Sequence, residues 1–177
     1  GVGDSVDLGW KLDAMLAGWG GEHLLDSYEV ERRPVAVRNA NESTRAHRVS
    51  QRLTQGHPNI TAPGPDGEQA RAIVGQKLRE ELGAGWMTLN LQLGYRYDDS
   101  PIVVPDGTAA PDGDDDIGVY RQTARPGARA PHVWLGEGRS TIDLFGHGFV
   151  LLRTQPDVAV DTIVTAAAKA GLPIRVF

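Results

Sequence analysis

The hydrophobic periodicity of the chain changes near residue 90, and that change limits it to helices first and strands afterwards. Upstream, Leu8, Leu12, Met15, Leu16 and Trp19 fall at i, i+4, i+7, i+8 and i+11, one face of an amphipathic helix over residues 4 to 19. Asp4 reads as its N-cap behind Gly1 and Gly3, and Gly18, Gly20 and Gly21 stop it. A second helix is expected over residues 22 to 33. Pro34 breaks that helix but suits the first turn of another, over residues 35 to 54. A run of Gly and Pro from Gly56 to Gly67 marks a loop, and a further helix over residues 68 to 82 ends at Gly83 and Gly85.

Downstream the pattern is of another kind. LNLQLGYRY and SPIVV have β-type composition with partial alternation, and residues 105 to 118 form a loop rich in Gly, Pro and Asp. HVWL, STIDLF and FVLLRT read as three short strands between Gly turns, residues 158 to 170 as a helix, and 173 to 177 as a last strand. The fold class expected is α/β, a helical part followed by a β-β-β-α-β run.

At 177 residues the chain can form one domain, or one and part of another. An apolar fraction of 40% with 23% charged residues suits a packed globular protein. A net charge of −5 gives no general attraction to nucleic acid or to an anionic membrane. No apolar run approaches the roughly 18 residues that span a bilayer, and no signal peptide is visible; a cytoplasmic protein is expected from the absence of cysteine. Cysteine is absent, so disulfides, thiolate metal sites and Cys-x-x-Cys redox chemistry are excluded. The chain opens on Gly and closes on the β-type run LPIRVF, and is expected to be a piece of a longer protein.

Isolated motifs give little chemistry. Asp112, Asp114 and Asp116 match the opening of a calcium loop, but Ile117 and Thr123 stand where Gly and an acidic ligand are needed, so a solvated acidic loop is expected. His23, His47, His57, His132 and His147 form no His-x-x-x-His pair, and no metal site is expected. There is no Gly-x-Ser-x-Gly elbow. Arg32 and Arg33, between Glu29 and Glu31, read as locally paired charges on a helix. Arg38, Arg45, Arg48 and Arg52 form a basic stripe that reads as a solvated face or a contact with another domain. Trp10, Trp19, Trp86 and Trp134 read as core or interface residues.

Three stretches carry more. They are GVGDSVDLGWKLDAMLAGWGGEHLLDSYEVERRPVA at residues 1 to 36, LGYRYDDSPIVVPDG at 93 to 107, and TARPGARAPHVWL with STIDLFGHGFVLL at 123 to 152. Together and in this order they resemble the FAD-dependent aromatic-ring hydroxylases, in the phenol, chlorophenol and polyketide branch. The resemblance implies that residues 1–90 are the C-terminal helical segment of an FAD-binding domain. Residues 91–177 would then be a truncated thioredoxin-like domain, redox-inactive without cysteine. It further implies that Gly1, Val2, Gly3 and Asp4 contact the flavin, where backbone amides at a helix N-terminus meet its pyrimidine oxygens. By spacing alone the same four residues are an ordinary helix start.

In relatives of this kind NADPH or NADH reduces the FAD, and one atom of O2 is transferred to a phenolic or polyketide ring. The Gly-x-Gly-x-x-Gly unit that holds the ADP half of FAD does not occur here, so the chain alone is expected to be inactive. The other reading is a non-catalytic binding module or homodimer. It is distinguished by whether Leu8, Leu12 and Met15 are covered or left as an apolar patch.

Overall fold

A computed structural model describes residues 1–54, 56–109 and 116–177. Asp112 and Asp114 of the acidic loop lie outside the described residues, as does the side chain of Trp86. The helical part consists of α1 (Val2–Leu16), α2 (Asp26–Thr54), α3 (Gly64–Trp86) and the short α4 (Leu89–Leu93). The second part holds β1 (Trp134–Gly136), β2 (Arg139–Ser140), β3 (Phe149–Leu151), α5 (Asp161–Lys169) and β4 (Ile174–Val176).

Helix α1 starts two residues before its expected N-cap and ends before Trp19. The chain doubles back there, with the amides of Trp19 and Gly20 both donating to the Ala14 carbonyl at 3.2 and 2.9 Å. Pro34 does not divide α2, which runs unbroken from Asp26 past it. A proline inside a helix removes one hydrogen bond, and the flanking Glu, Arg, Val and Ala residues keep the remaining turns paired. Helix α3 begins on Gly64 with Pro65 in its first turn and continues through Gly83 and Gly85, which were expected to end it. Helix α2 packs on both α1 and α3, and the buried apolar side chains at its contacts are small: Ala14, Val35, Val49 and Ala70.

The LNLQL run is helical, not extended as its composition suggested. Asn90 is the cause. Its amide and that of Leu91 donate to the Ile117 carbonyl at 3.0 and 3.2 Å, and its side chain donates to the Asp116 carbonyl at 2.7 Å. These bonds curl the backbone around a fixed acceptor. The YRY and SPIVV segments that follow form no strand either. Their backbone is held by turn bonds such as Ser100 to the Tyr97 carbonyl at 3.2 Å and Val103 to the Ser100 carbonyl at 3.1 Å.

The β-β-β-α-β order is as expected, but the strands form two separate pairs. β1 and β2 are an antiparallel hairpin, and β3 and β4 are parallel, with α5 as the crossover that a parallel pair requires. Most of STIDLF is a 3₁₀ turn over Thr141–Leu144. It is fixed by Asp143, whose carboxylate accepts from the Ser140 amide at 2.6 Å and the Ser140 hydroxyl at 2.8 Å. The same two bonds hold the Asp143 carboxyl below the usual carboxylate range.

Helix α1 turns its polar side inward. Asp7, Lys11 and Ala14 are its buried residues, while Leu12 is exposed, Leu16 is 89% exposed, and Leu8 and Met15 are half-buried. Val2 and Val6 extend the exposed apolar surface at 83% and 65%.

Candidate functional site

Three parts of the chain converge on the inward side of α1, and charge rather than hydrocarbon holds them together. Lys11 is fully buried, and its ammonium donates to Asp7 Oδ2 at 2.8 Å and Glu31 Oε2 at 2.5 Å. The Ser100 hydroxyl donates to the other oxygen of Glu31, also at 2.5 Å. The ammonium also lies 5.6 Å from the Trp10 ring centroid and 5.8 Å from that of Tyr28. Burying such ions is costly unless each is paired and its remaining bonding capacity is used. Among the described residues no buried side-chain polar atom lacks a partner.

One turn back towards the start of α1, Arg32 repeats the arrangement. Its Nε donates to Asp4 Oδ1 at 2.8 Å, one Nη donates to the Tyr97 hydroxyl at 2.9 Å, and its plane lies 5.1 Å from the Tyr95 ring centroid. Burial works against the Arg32 charge, but the bonds to Asp4 and Tyr97 outweigh it and hold its pKa above the ordinary value. Burial pushes the Tyr97 phenol up to about 12, against the opposing pull of Arg32. The Asp4 carboxyl lies below the usual range because the Gly1 amine and then Arg32 bond its charged form. Residues Glu31 and Arg32 were expected to pair locally on α2; instead both reach across to α1 and to the segment at 95–100. Only Arg33 pairs as expected, with Glu29 at 3.3 Å. A sequence signal for this did exist. Asp4, Asp7 and Lys11 recur at i, i+3 and i+7, a charged line beside the apolar face of the helix.

The four residues singled out for flavin contact form the first turn of α1. Gly1 and Val2 are exposed, and Gly3 and Asp4 are half-buried. The first helical bond is from the Ser5 amide to the Gly1 carbonyl at 3.0 Å, so the amides of Val2, Gly3 and Asp4 have no acceptor within the helix. Space beside Gly1 is open, with no atom within 4 Å of where a Cβ would sit. Gly3 is closed on its other side, where a Cβ would stand 2.8 Å from an Arg32 nitrogen. Amide donors without helical partners at a positive helix end fit the polar edge of a flavin.

A cleft of about 690 Å³ lies alongside, lined by Val6, Gly9, Trp10, Asp13, Trp19 and residues 146–149. Trp10 and Trp19 stack at 6.4 Å, and Phe149 meets both edge-on, at 6.4 and 5.8 Å. His147 lies 3.0 Å from Asp13. This aromatic cluster joins α1 to β3, the interface role expected of Trp10 and Trp19. Of the basic stripe, Arg38 donates to the Asn90 carbonyl at 3.3 Å and Arg45 pairs with Glu42 at 2.7 Å. Among the described residues no cluster of three or more metal-ligating side chains occurs, and no helix is long and apolar enough to cross a membrane.

Comparison with known proteins follows the same lines. The FAD binding domain family matches residues 1–43, which contain both α1 and the Glu31–Arg32 pair. A putative polyketide hydroxylase of Streptomyces halstedii is 34% identical over 98% of this chain and 28% of its own length. The tetracenomycin A2 monooxygenase-dioxygenase of Streptomyces glaucescens is 37% identical over 99% of this chain and 27% of its own length. Among solved structures, the rebeccamycin biosynthetic enzyme RebC with reduced flavin superposes with a TM-score of 0.88 at 38% identity. It covers all of this chain, which matches 32% of it. The chain thus spans about a third or less of the length of these relatives.

Proposed function

We propose that this chain is part of an FAD-dependent aromatic hydroxylase and that α1 presents its first turn, Gly1 to Asp4, to the flavin of that enzyme. The protein's reaction, on this reading, is hydroxylation of an aromatic, polyketide-type ring with NAD(P)H and O2. Bound flavin supplies the oxygen-transfer chemistry. What these residues contribute is orientation: three outward amides at a positive helix end accept the polar edge of the ring system and favour negative charge on it. The observation that carries the reading is this first turn with its unpaired amides, lying inside the stretch that matches the FAD binding domain.

The division of labour follows. Residues 1–90 complete an FAD-binding domain, and residues 91–177 form a thioredoxin-like domain that serves structure and self-association in a cytoplasmic enzyme. Support for the second part is the parallel β3–α5–β4 unit and the absence of cysteine. Support for self-association is the exposed apolar line at Val2, Val6, Leu12 and Leu16, which a second copy or the rest of a flavoprotein domain would cover.

The test is a segment exchange in which this chain replaces its counterpart in RebC. The chimera is expected to purify with FAD and to oxidise NAD(P)H in the presence of an aromatic substrate, while the 177-residue chain alone retains no FAD. A folded chimera that purifies without flavin rejects the proposal.

A further inference from the structure

Resting on the flavin-facing reading of α1, we infer that Arg32 is a positioning residue that locks the first turn of that helix and cancels the charge Asp4 would otherwise set against an anionic ligand there. The arrangement is more than an ion pair. A single guanidinium, whose side chain is 9% exposed, bonds Asp4 in the first turn, bonds the Tyr97 hydroxyl from a distant segment and sets its central carbon 5.1 Å from the Tyr95 ring centroid. It also fills the space that any side chain at position 3 would need. An acidic residue in a first helical turn opposes the positive potential that the orphan amides create for an incoming anion. Arg32 holds Asp4 Oδ1 while the Gly1 amine holds Oδ2, so Asp4 caps the turn without presenting a bare negative charge at its mouth.

Only a planar fork makes these contacts together. A lysine ammonium at the same place can supply charge, but it cannot bond Asp4 and Tyr97 through two separate nitrogens of one rigid fork. The assignment therefore separates geometry from charge. Arg32→Met removes both, Arg32→Lys keeps charge alone, and Asp4→Asn removes the ion pair while leaving the arginine in place.

The experiment uses the whole chain without flavin. Hydrogen exchange is followed for the amides of residues 5 to 8, which close the first helical bonds, and for those of α5 as an internal reference. Both Arg32 variants are expected to exchange about tenfold faster at residues 5 to 8 with α5 unchanged, since a local opening leaves distant protection intact. The backbone NMR shifts of Gly3 and Asp4, followed through acid pH, report the Asp4 carboxyl. Its inflection is expected to move up in Arg32→Met and to stay near wild type in Arg32→Lys.

Wild-type exchange rates in Arg32→Met overturn the positioning role, and full rescue of exchange by Arg32→Lys overturns the requirement for the fork. If Arg32→Met loses protection in α5 as well, Asp4→Asn decides: faster exchange at residues 5 to 8 supports the lock, and an unchanged rate overturns it. Loss of flavin from the RebC chimera rejects the flavin reading without altering these exchange results, so the two failures are distinguishable.

Discussion

Lys11 Nζ lies 2.5 Å from Glu31 Oε2 across the α1–α2 contact, with neither side chain reaching solvent. Two helices are thus joined at their most buried point by an ion pair, with Asp7 and Ser100 completing the bonding of its two members. The exposed leucines of α1 lie elsewhere. This inversion decides which substitutions damage the fold.

Removing the cation leaves two carboxylates facing each other out of water. Lys11→Met is expected to destabilise the chain by about 3–5 kcal/mol in denaturant unfolding, the cost of breaking a buried ion pair on one side. The triple variant Lys11→Met, Glu31→Gln, Asp7→Asn should recover a large part of that loss. Equal stability of the single and triple variants contradicts the electrostatic account.

Ser100 lies far along the chain from Glu31 yet donates to it in a buried setting. Ser100→Ala is expected to cost roughly 1.5–3 kcal/mol, the range for a hydrogen bond to a charged group. Combined with Glu31→Gln the two losses should be less than additive, and a double-mutant cycle measures the coupling. Strict additivity would show that the bond contributes nothing.

Alkaline pH reads the burial of the Tyr97 phenol, which outweighs the opposing pull of Arg32. The Tyr97 phenol ionises near 10.0 when unperturbed and at about 12 in the folded chain, so only the folded state keeps the proton between those values. Tyr97's contribution to stability is therefore fully present below pH 10, falls as pH rises towards 12 and levels off above it. Ultraviolet titration of tyrosinate should show one late-ionising phenol that Tyr97→Phe removes. A Tyr97→Phe titration curve that keeps that late phase points to another residue.

Gly148 precedes β3 with φ of +84°, and a Cβ there would lie 2.6 Å from the Pro173 carbonyl oxygen. That carbonyl accepts the Phe149 amide at 2.7 Å, the bond that opens the β3–β4 ladder. Gly148→Ala is expected to cost about 1–3 kcal/mol from backbone strain, with the close approach adding to it. Thermal unfolding measures it, and a wild-type midpoint would show that the turn tolerates a side chain.

Much of the architecture was legible from local pattern. Helical segments within 2–16, 26–54, 64–86 and 161–169 follow from apolar spacing and helix-forming composition, but the continuity of α2 through Pro34 and of α3 through Gly83 and Gly85 did not. The order of strands and helix after residue 130 follows from alternating apolar runs between glycine turns. Gly1 to Asp4 were singled out because they stand in a stretch distinctive enough to suggest a flavoprotein before any geometry was known. Local pattern misread LNLQL because alternating leucines suit a strand and a short helix equally, and the deciding acceptor, the Ile117 carbonyl, lies far along the chain.

What the sequence by itself determined was therefore most of the elements, their order and the resemblance to a flavoprotein family, since these depend on neighbours within a few residues. Only the tertiary structure decided which side of α1 faces inward and that Glu31 and Arg32 look away from their own helix. The reason is physical. On a helix surface a charge finds a partner three or four residues away, and that local pairing is all that spacing can foresee. Once burial removes water, each ion must be matched by whatever the fold brings within reach, and for Lys11 and Arg32 the partners come from α1 itself, from α2 and from the segment that ends at Ser100.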